Sequence, residues 1–253
     1  MNNNSWISFY KPRPQPKLRL FCFPHAGGGA SFYRLWSDEL PPGIDVCPVQ
    51  LPGRENRVMD PPFNDVNLLL QTLTSALFPY LNKPFAFFGH SLGALISFEL
   101  ARHLRREHGR QPVHLLVSGY QAPPIENKLP PMSHLPDEEF VEQLRDLNSI
   151  PEAVLEHEEL VELLLPALRA DFAIYERYVY YQEEQLDCPI SAFGGERDDL
   201  VFEDDLQSWR NHTKQSCTVR MFSGDHFFLH NDRGRVSLLE VISEVLMQHC
   251  NHG

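Results

Sequence analysis

Gly89-His90-Ser91-Leu92-Gly93 spells G-x-S-x-G, a serine set between two glycines. The aromatic run Phe85 to Gly89 before it reads as a short strand, and Leu92 to His108 after it reads as a helix. Strand, sharp turn and helix are the context in which this pattern presents a nucleophile. The glycines let the chain turn and leave room for neighbouring backbone. The hydroxyl then stands above a sheet edge at a helix N-terminus, where developing negative charge is favoured. A serine hydroxyl is a weak nucleophile until a neighbouring base takes its proton.

In strand-turn-helix hydrolases of this kind the acid and then the base follow the serine along the chain. Phe222-Ser223-Gly224-Asp225-His226-Phe227-Phe228 places His226 on a turn directly after a strand, beside a glycine. His230 is the competitor, four residues on, in the following loop. After the strand Pro189 to Phe193 the chain reads Gly194-Gly195-Glu196-Arg197-Asp198-Asp199. Asp198 is the preferred acid and Asp199 the alternative; a turn or N-cap role competes for Asp198. A buried aspartate would fix the tautomer of His226 and stabilise the imidazolium. For the oxyanion, one donor is the backbone N–H of Leu92. The second is assigned to Ala26, in the glycine-rich run Phe23-Pro24-His25-Ala26-Gly27-Gly28-Gly29 after an early strand. A nucleotide reading of those glycines lacks both G-x-G-x-x-G and G-K-[ST]. His25 is read as a packing or locally bonded residue.

The elements that must position these groups alternate. Strands are expected at Leu18 to Pro24, Asp45 to Leu51, Phe85 to Gly89, Val113 to Ser118, Pro189 to Phe193 and Thr218 to Phe222. Helices are expected at Phe32 to Leu40, Val66 to Leu81, Leu92 to His108, Glu203 to Asn211 and Val236 to His249. Such alternation predicts an α/β fold, a mostly parallel central sheet with helices on both faces. With the G-x-S-x-G turn set between a strand and a helix, the expectation is an α/β-hydrolase fold, one domain over 1–253. From about 125 to 185 no strand is evident. Asp137 to Leu147, Glu156 to Leu165 and Ala167 to Tyr181 read as three helices, a helical lid over the sheet's C-terminal edge.

Composition narrows the function. The 253 residues are 42% apolar and 22% charged, ordinary for a globular chain. A formal net charge of −12 disfavours nucleic acid, whose binding needs Lys and Arg on phosphates. The apolar run Phe85 to Leu100 is interrupted by His90, Ser91 and Glu99 and is too short to span a bilayer. The start, MNNNSWISFYKPRPQPK, lacks the form of a signal peptide. Five cysteines without C-x-x-C, and twelve histidines without metal-ligand spacing, predict neither disulfides nor a metal site, and a cytoplasmic location. Arg102, Arg105, Arg106 and Arg110 cluster at a helix C-terminus, where cations complement the dipole; a docking role is the lesser reading.

Several of these segments together resemble one family. FCFPHAGGGASFYRLW, VQLPGRENRV, KPFAFFGHSLGALISFELARHL, GGERDD and GDHFFL are similar to the type II thioesterases, stand-alone editing enzymes of polyketide and nonribosomal peptide synthesis. The resemblance runs from about Leu18 to Leu246. It implies a catalytic triad of Ser91, Asp198 and His226 and oxyanion donors at Ala26 and Leu92. Asp199 departs from the family, where many members have Pro. In LPGRE, Pro52 and Gly53 are expected to make a turn, and Arg54 either stabilises that loop or faces the substrate entrance, the structural role being preferred. The implied reaction is hydrolysis of acyl thioesters from the phosphopantetheine arm of acyl or peptidyl carrier proteins, clearing aberrant or stalled acyl groups. No cofactor or metal is expected, since the carrier presents the phosphopantetheine; the enzyme is expected to be a monomer. The alternatives are a general esterase acting on free small esters or acyl-CoA, an acyltransferase, and a non-catalytic interaction protein.

Overall fold

A computed structural model describes residues 5–125, 128–147 and 152–250. Six strands, β1 (Leu18–Phe23), β2 (Ile44–Pro48), β3 (Phe85–His90), β4 (His114–Ser118), β5 (Ile190–Gly195) and β6 (Cys217–Phe222), form one sheet in the order β2-β1-β3-β4-β5-β6. Every pair in it is parallel. The helices are α1 (Trp36–Glu39), α2 (Val66–Leu77), α3 (Leu92–His108), α4 (Asp137–Asp146), α5 (Glu152–Leu155), α6 (Glu158–Arg177), α7 (Glu203–Gln207) and α8 (Asp232–Cys250).

Strands β1 to β5 are almost wholly buried on both faces, as parallel strands under helices must be, whereas the edge strand β6 exposes Thr218 and Arg220. Along β1, Phe21 and Phe23 join the layer that holds Leu73 of α2 and Leu95 and Phe98 of α3. Leu18, Leu20 and Cys22 join the opposite layer, with Trp36 of α1 and Leu238 and Ile242 of α8. The period of two between these layers is the pleat read out as packing. Chain order reverses at β1, which has β2 on one side and β3 on the other. The crevice beyond the carboxyl ends of strands at such a switch is where α/β sheets place their ligands. Ser91 follows β3 there, and the glycine-rich run follows β1.

The insertion between β4 and β5 is helical, as expected, though residues 126–127 and 148–151 of the expected 125–185 segment lie outside the described residues. The expected break between Leu165 and Ala167 does not occur. Pro166 sits inside a single helix, α6. Proline removes the bond to the carbonyl four residues back. Both Pro166 and Glu162 face solvent, where water can serve that carbonyl. Leu165, Leu168 and Phe172 meanwhile pack on Met132, Phe140 and Leu144 and hold the helix through the proline. Other ends also shift. Val66 to Leu81 and Glu203 to Asn211 finish as 3-10 turns at Phe78–Tyr80 and Ser208–His212. The expected helix at Phe32 to Leu40 is a 3-10 turn, Ala30–Tyr33, followed by α1.

Candidate active site

Ser91 adopts φ 52° and ψ −119°, a backbone region that costs energy for any residue with a Cβ. Tight packing imposes it. A Cβ on Gly89 would lie 2.0 Å from the carbonyl oxygen of Gly93, and one on Gly93 would lie 2.1 Å from that of Phe23. The N–H of Ser91 donates to the Ser118 carbonyl at 2.7 Å, which ties the turn to the end of β4.

The acid and base arrive on two loops joined edge to edge. β5 runs two residues further than expected, because Gly194 and Gly195 pair with Met221 and Phe222. A Cβ on Gly195 would lie 2.1 Å from the Asp225 carbonyl oxygen, so glycine permits this approach. The N–H groups of Glu196 and Arg197 then donate to the Phe222 and Gly224 carbonyls, each at 2.8 Å. Asp198 and His226 are thereby set face to face. The Nδ1–H of His226 donates to Asp198 Oδ2 at 2.8 Å. Asp198 Oδ1 accepts from the amides of Leu200 and Val201 at 2.8 and 3.1 Å. With Nδ1 carrying the proton, Nε2 of His226 is left as a base. Asp198 is 4% exposed, whereas Asp199 faces solvent.

His226, Ser91, Leu92 and Ala26 line one cavity, with Gly119, Gln121, Phe172 and Tyr175 among the other walls. Gly119, at φ 58°, leaves room for the base: a Cβ there would come within 3.2 Å of His226 Cε1. Leu92 opens α3, so its N–H has no partner within the helix. Among the described residues no acceptor takes the Ala26 N–H, while the next two amides are both taken. Gly27 donates to Asp171 Oδ2 at 2.8 Å and Gly28 to the His25 carbonyl at 3.0 Å.

His230 packs on Phe32 and His25, with ring centroids 4.8 and 5.2 Å apart, and takes no part in the cavity wall. His25 also packs on Phe227 and His90. Burial, then the neighbouring His230, His226 and Arg54, pushes His25 down to about 3. His90 is likewise lowered by burial and by the surrounding histidines. Both shifts favour the neutral form of these rings beside His226.

One buried pair was absent from the expected site. Arg54 of the LPGRE loop donates from Nη1 and Nη2 to Asp171 Oδ2 and Oδ1 at 2.6 and 2.9 Å. Asp171 lies on α6, so the insertion reaches through this carboxylate to the amide of Gly27, next to Ala26. A signal for it stands in the sequence: Asp171 falls on the apolar stripe between Leu168 and Phe172, where a charge requires a partner. Arg54 itself is structural, as read. The basic cluster on α3 also has a structural use. Arg102, Arg105 and Arg106 all pair with Glu183, and Arg102 also donates to the Tyr181 carbonyl. They fasten the chain that returns from α6, and Arg110 donates to the Leu81 carbonyl at 2.6 Å. Among the described residues no group of three His, Cys, Asp or Glu side chains is arranged to hold a metal, and no helix is long and apolar enough to cross a membrane.

Residues 18–246 match the thioesterase domain family. The linear gramicidin dehydrogenase LgrE of Brevibacillus parabrevis is 45% identical, over 96% of this chain and 93% of its own. The thioesterase PikA5 of Streptomyces venezuelae is 38% identical, over 91% and 82%. The solved structure of BorB, a type II thioesterase from the borrelidin biosynthetic cluster, superposes with a TM-score of 0.87 at 37% identity, covering 99% of both chains. LgrE carries a dehydrogenase's name; in this chain the glycines after β1 read His25-Ala26-Gly27-Gly28-Gly29, without dinucleotide spacing.

Proposed function

The chain belongs to the thioesterase family, and from that premise we propose that it is a stand-alone type II thioesterase that releases acyl groups from the phosphopantetheine arm of carrier proteins. Its setting would be polyketide or nonribosomal peptide assembly, of the kind that the names of its relatives describe. The observation that carries the reading is the 2.8 Å pairing of His226 with the buried Asp198, on the wall of the same cavity as Ser91.

In the proposed reaction Ser91 Oγ attacks the thioester carbonyl while Nε2 of His226 takes the hydroxyl proton. Asp198 keeps the imidazole in its tautomer and stabilises the imidazolium. The tetrahedral oxyanion lies between the N–H groups of Ala26 and Leu92, each such donor being worth on the order of 10²–10³ in turnover. Collapse expels the thiol, protonated by His226, and leaves an acyl-serine. Water, deprotonated by His226, then releases the acid. These steps call for no metal and no resident cofactor. The helical insertion serves as the lid. The partner is an acyl or peptidyl carrier protein, and the enzyme acts as a monomer in the cytoplasm.

The test is turnover of acyl-phosphopantetheinyl carrier protein by wild type and Ser91→Ala, beside the matching free thioester and a p-nitrophenyl ester. The reading predicts faster cleavage of the carrier-bound thioester and an inert Ser91→Ala. Cleavage of the free ester alone would make the protein a general esterase.

A further inference from the structure

We propose that Gln121 and Tyr175 form the partition that ends the acyl cavity and so set the length of the acyl chain accepted. The proposal rests on the reading that Ser91 receives the acyl group. The cavity around Ser91 holds about 50 Å³. A water-sized group needs about 10–15 Å³ of such space, so roughly three to five such groups fit. That suits a short acyl chain. Two of its wall residues, Gln121 and Tyr175, also line a second and larger cleft of about 330 Å³, together with Tyr120, Pro123, Ile125 and Tyr178. No other described residue belongs to both.

The partition is built rather than incidental. Gln121 follows β4 and is 3% exposed; Tyr175 stands on α6. Gln121 Nε2 donates to the Tyr175 hydroxyl at 3.3 Å, joining the sheet side of the cavity to the lid. Each partner is held from behind. The Trp209 indole N–H donates to the carbonyl of Tyr120, at 3.0 Å, and fixes the backbone beside Gln121. The Tyr120 ring meets the Tyr175 ring edge-on, with centroids 5.6 Å apart. Burial pushes the Tyr175 phenol up to about 12, so it stays neutral and remains a stable half of the pair. A chain that outgrows the cavity must displace both side chains and leave the amide of Gln121 without its partner.

The experiment measures kcat/KM on N-acetylcysteamine thioesters from acetyl to dodecanoyl, so that length is read without a carrier. Wild type, Tyr175→Phe, Tyr175→Ala and Gln121→Ala are compared, each checked for stoichiometric labelling of Ser91 by a fluorophosphonate. One methylene too many against a closed wall is worth about tenfold or more. Wild type is expected to fall off by at least that factor between butyryl and octanoyl. Tyr175→Ala should raise octanoyl relative to acetyl by about tenfold, and Tyr175→Phe, which keeps the ring and loses the bond, should shift the profile less. An unchanged length profile in a labelled Tyr175→Ala would overturn the proposal. If that variant does not label, Gln121→Ala decides by the same criterion. A wild type indifferent to chain length would also overturn it while leaving the thioesterase reading intact. A wild type inert on every thioester would remove that reading, and the partition with it.

Discussion

Asp198 gives one carboxylate oxygen to two backbone amides and the other to His226. Its geometry is therefore fixed from both sides, and an amide in its place would keep the shape while reversing one donor. Asp198→Asn is expected to cut turnover by on the order of 10⁴, through the wrong tautomer of His226, with the fold intact by circular dichroism. Asp199→Asn, at an exposed carboxylate, should stay within about threefold of wild type, as expected for a surface substitution. The opposite ranking in steady-state kinetics would move the role to Asp199. The choice between the two acids was legible only as a preference, because their spacing from β5 differs by one residue. The strand's extension to Gly195 and the pairing of Arg197 with Gly224 decide which carboxylate faces inward. Ser91 and His226 were easier to read, since glycine-flanked turns after strands leave a strong local pattern. Gln121 left none: a lone glutamine past a strand end looks like any turn residue until α6 brings Tyr175 to it.

Helix α6 couples the helical insertion to the glycine-rich loop after β1 through Asp171, which is 2% exposed and meets Arg54 and the amide of Gly27. Removing one member of a buried ion pair costs about 3–5 kcal/mol, because the other charge is left without a partner. Arg54→Met should therefore lower Tm markedly. The double variant Arg54→Met with Asp171→Leu should recover most of that loss, since apolar side chains often replace a buried pair at little cost. Its turnover should nevertheless stay about 10- to 100-fold low, because the loop carrying Ala26 no longer has its tether and small displacements of catalytic groups are costly. Recovery of stability and turnover together would show that the pair only packs. The sequence displays each half of this link but not their meeting, as 117 residues separate them. The same distance limit explains why α6 was read as two helices. Pro166 speaks locally for a break, and the packing that overrides it comes from α4 and from the segment around Met132.

Over the whole molecule, the alternation of strands and helices made the parallel sheet legible, while the buried ionisable groups emerge only from the packing. His25 and His114 are each held near 3, chiefly by burial, and His90 is lowered in the same way. The unfolded chain protonates each of them near 6.5, so below that pH it binds more protons than the folded chain. Stability then falls as pH drops from about 6.5 toward 3, by about 2 kcal/mol at pH 5 for each of His25 and His114, and in the same direction for His90. Two effects oppose this. Burial raises Glu99, which favours the folded state on acidification, and the net charge of −12 relaxes as carboxylates protonate. These three histidines, with His212 and His230 lowered by burial as well, outweigh one raised carboxylate and a dispersed surface repulsion. Tm is accordingly expected to fall by on the order of 10 °C between pH 7 and pH 5, read by calorimetry. His114→Gln should flatten that slope and leave turnover at pH 7.5 unchanged, because His114 opens β4 at the end of the strand opposite Ser118 and the Ser91 turn. A Tm that holds or rises on acidification in the wild type would mean that charge relief and Glu99 prevail over the histidines.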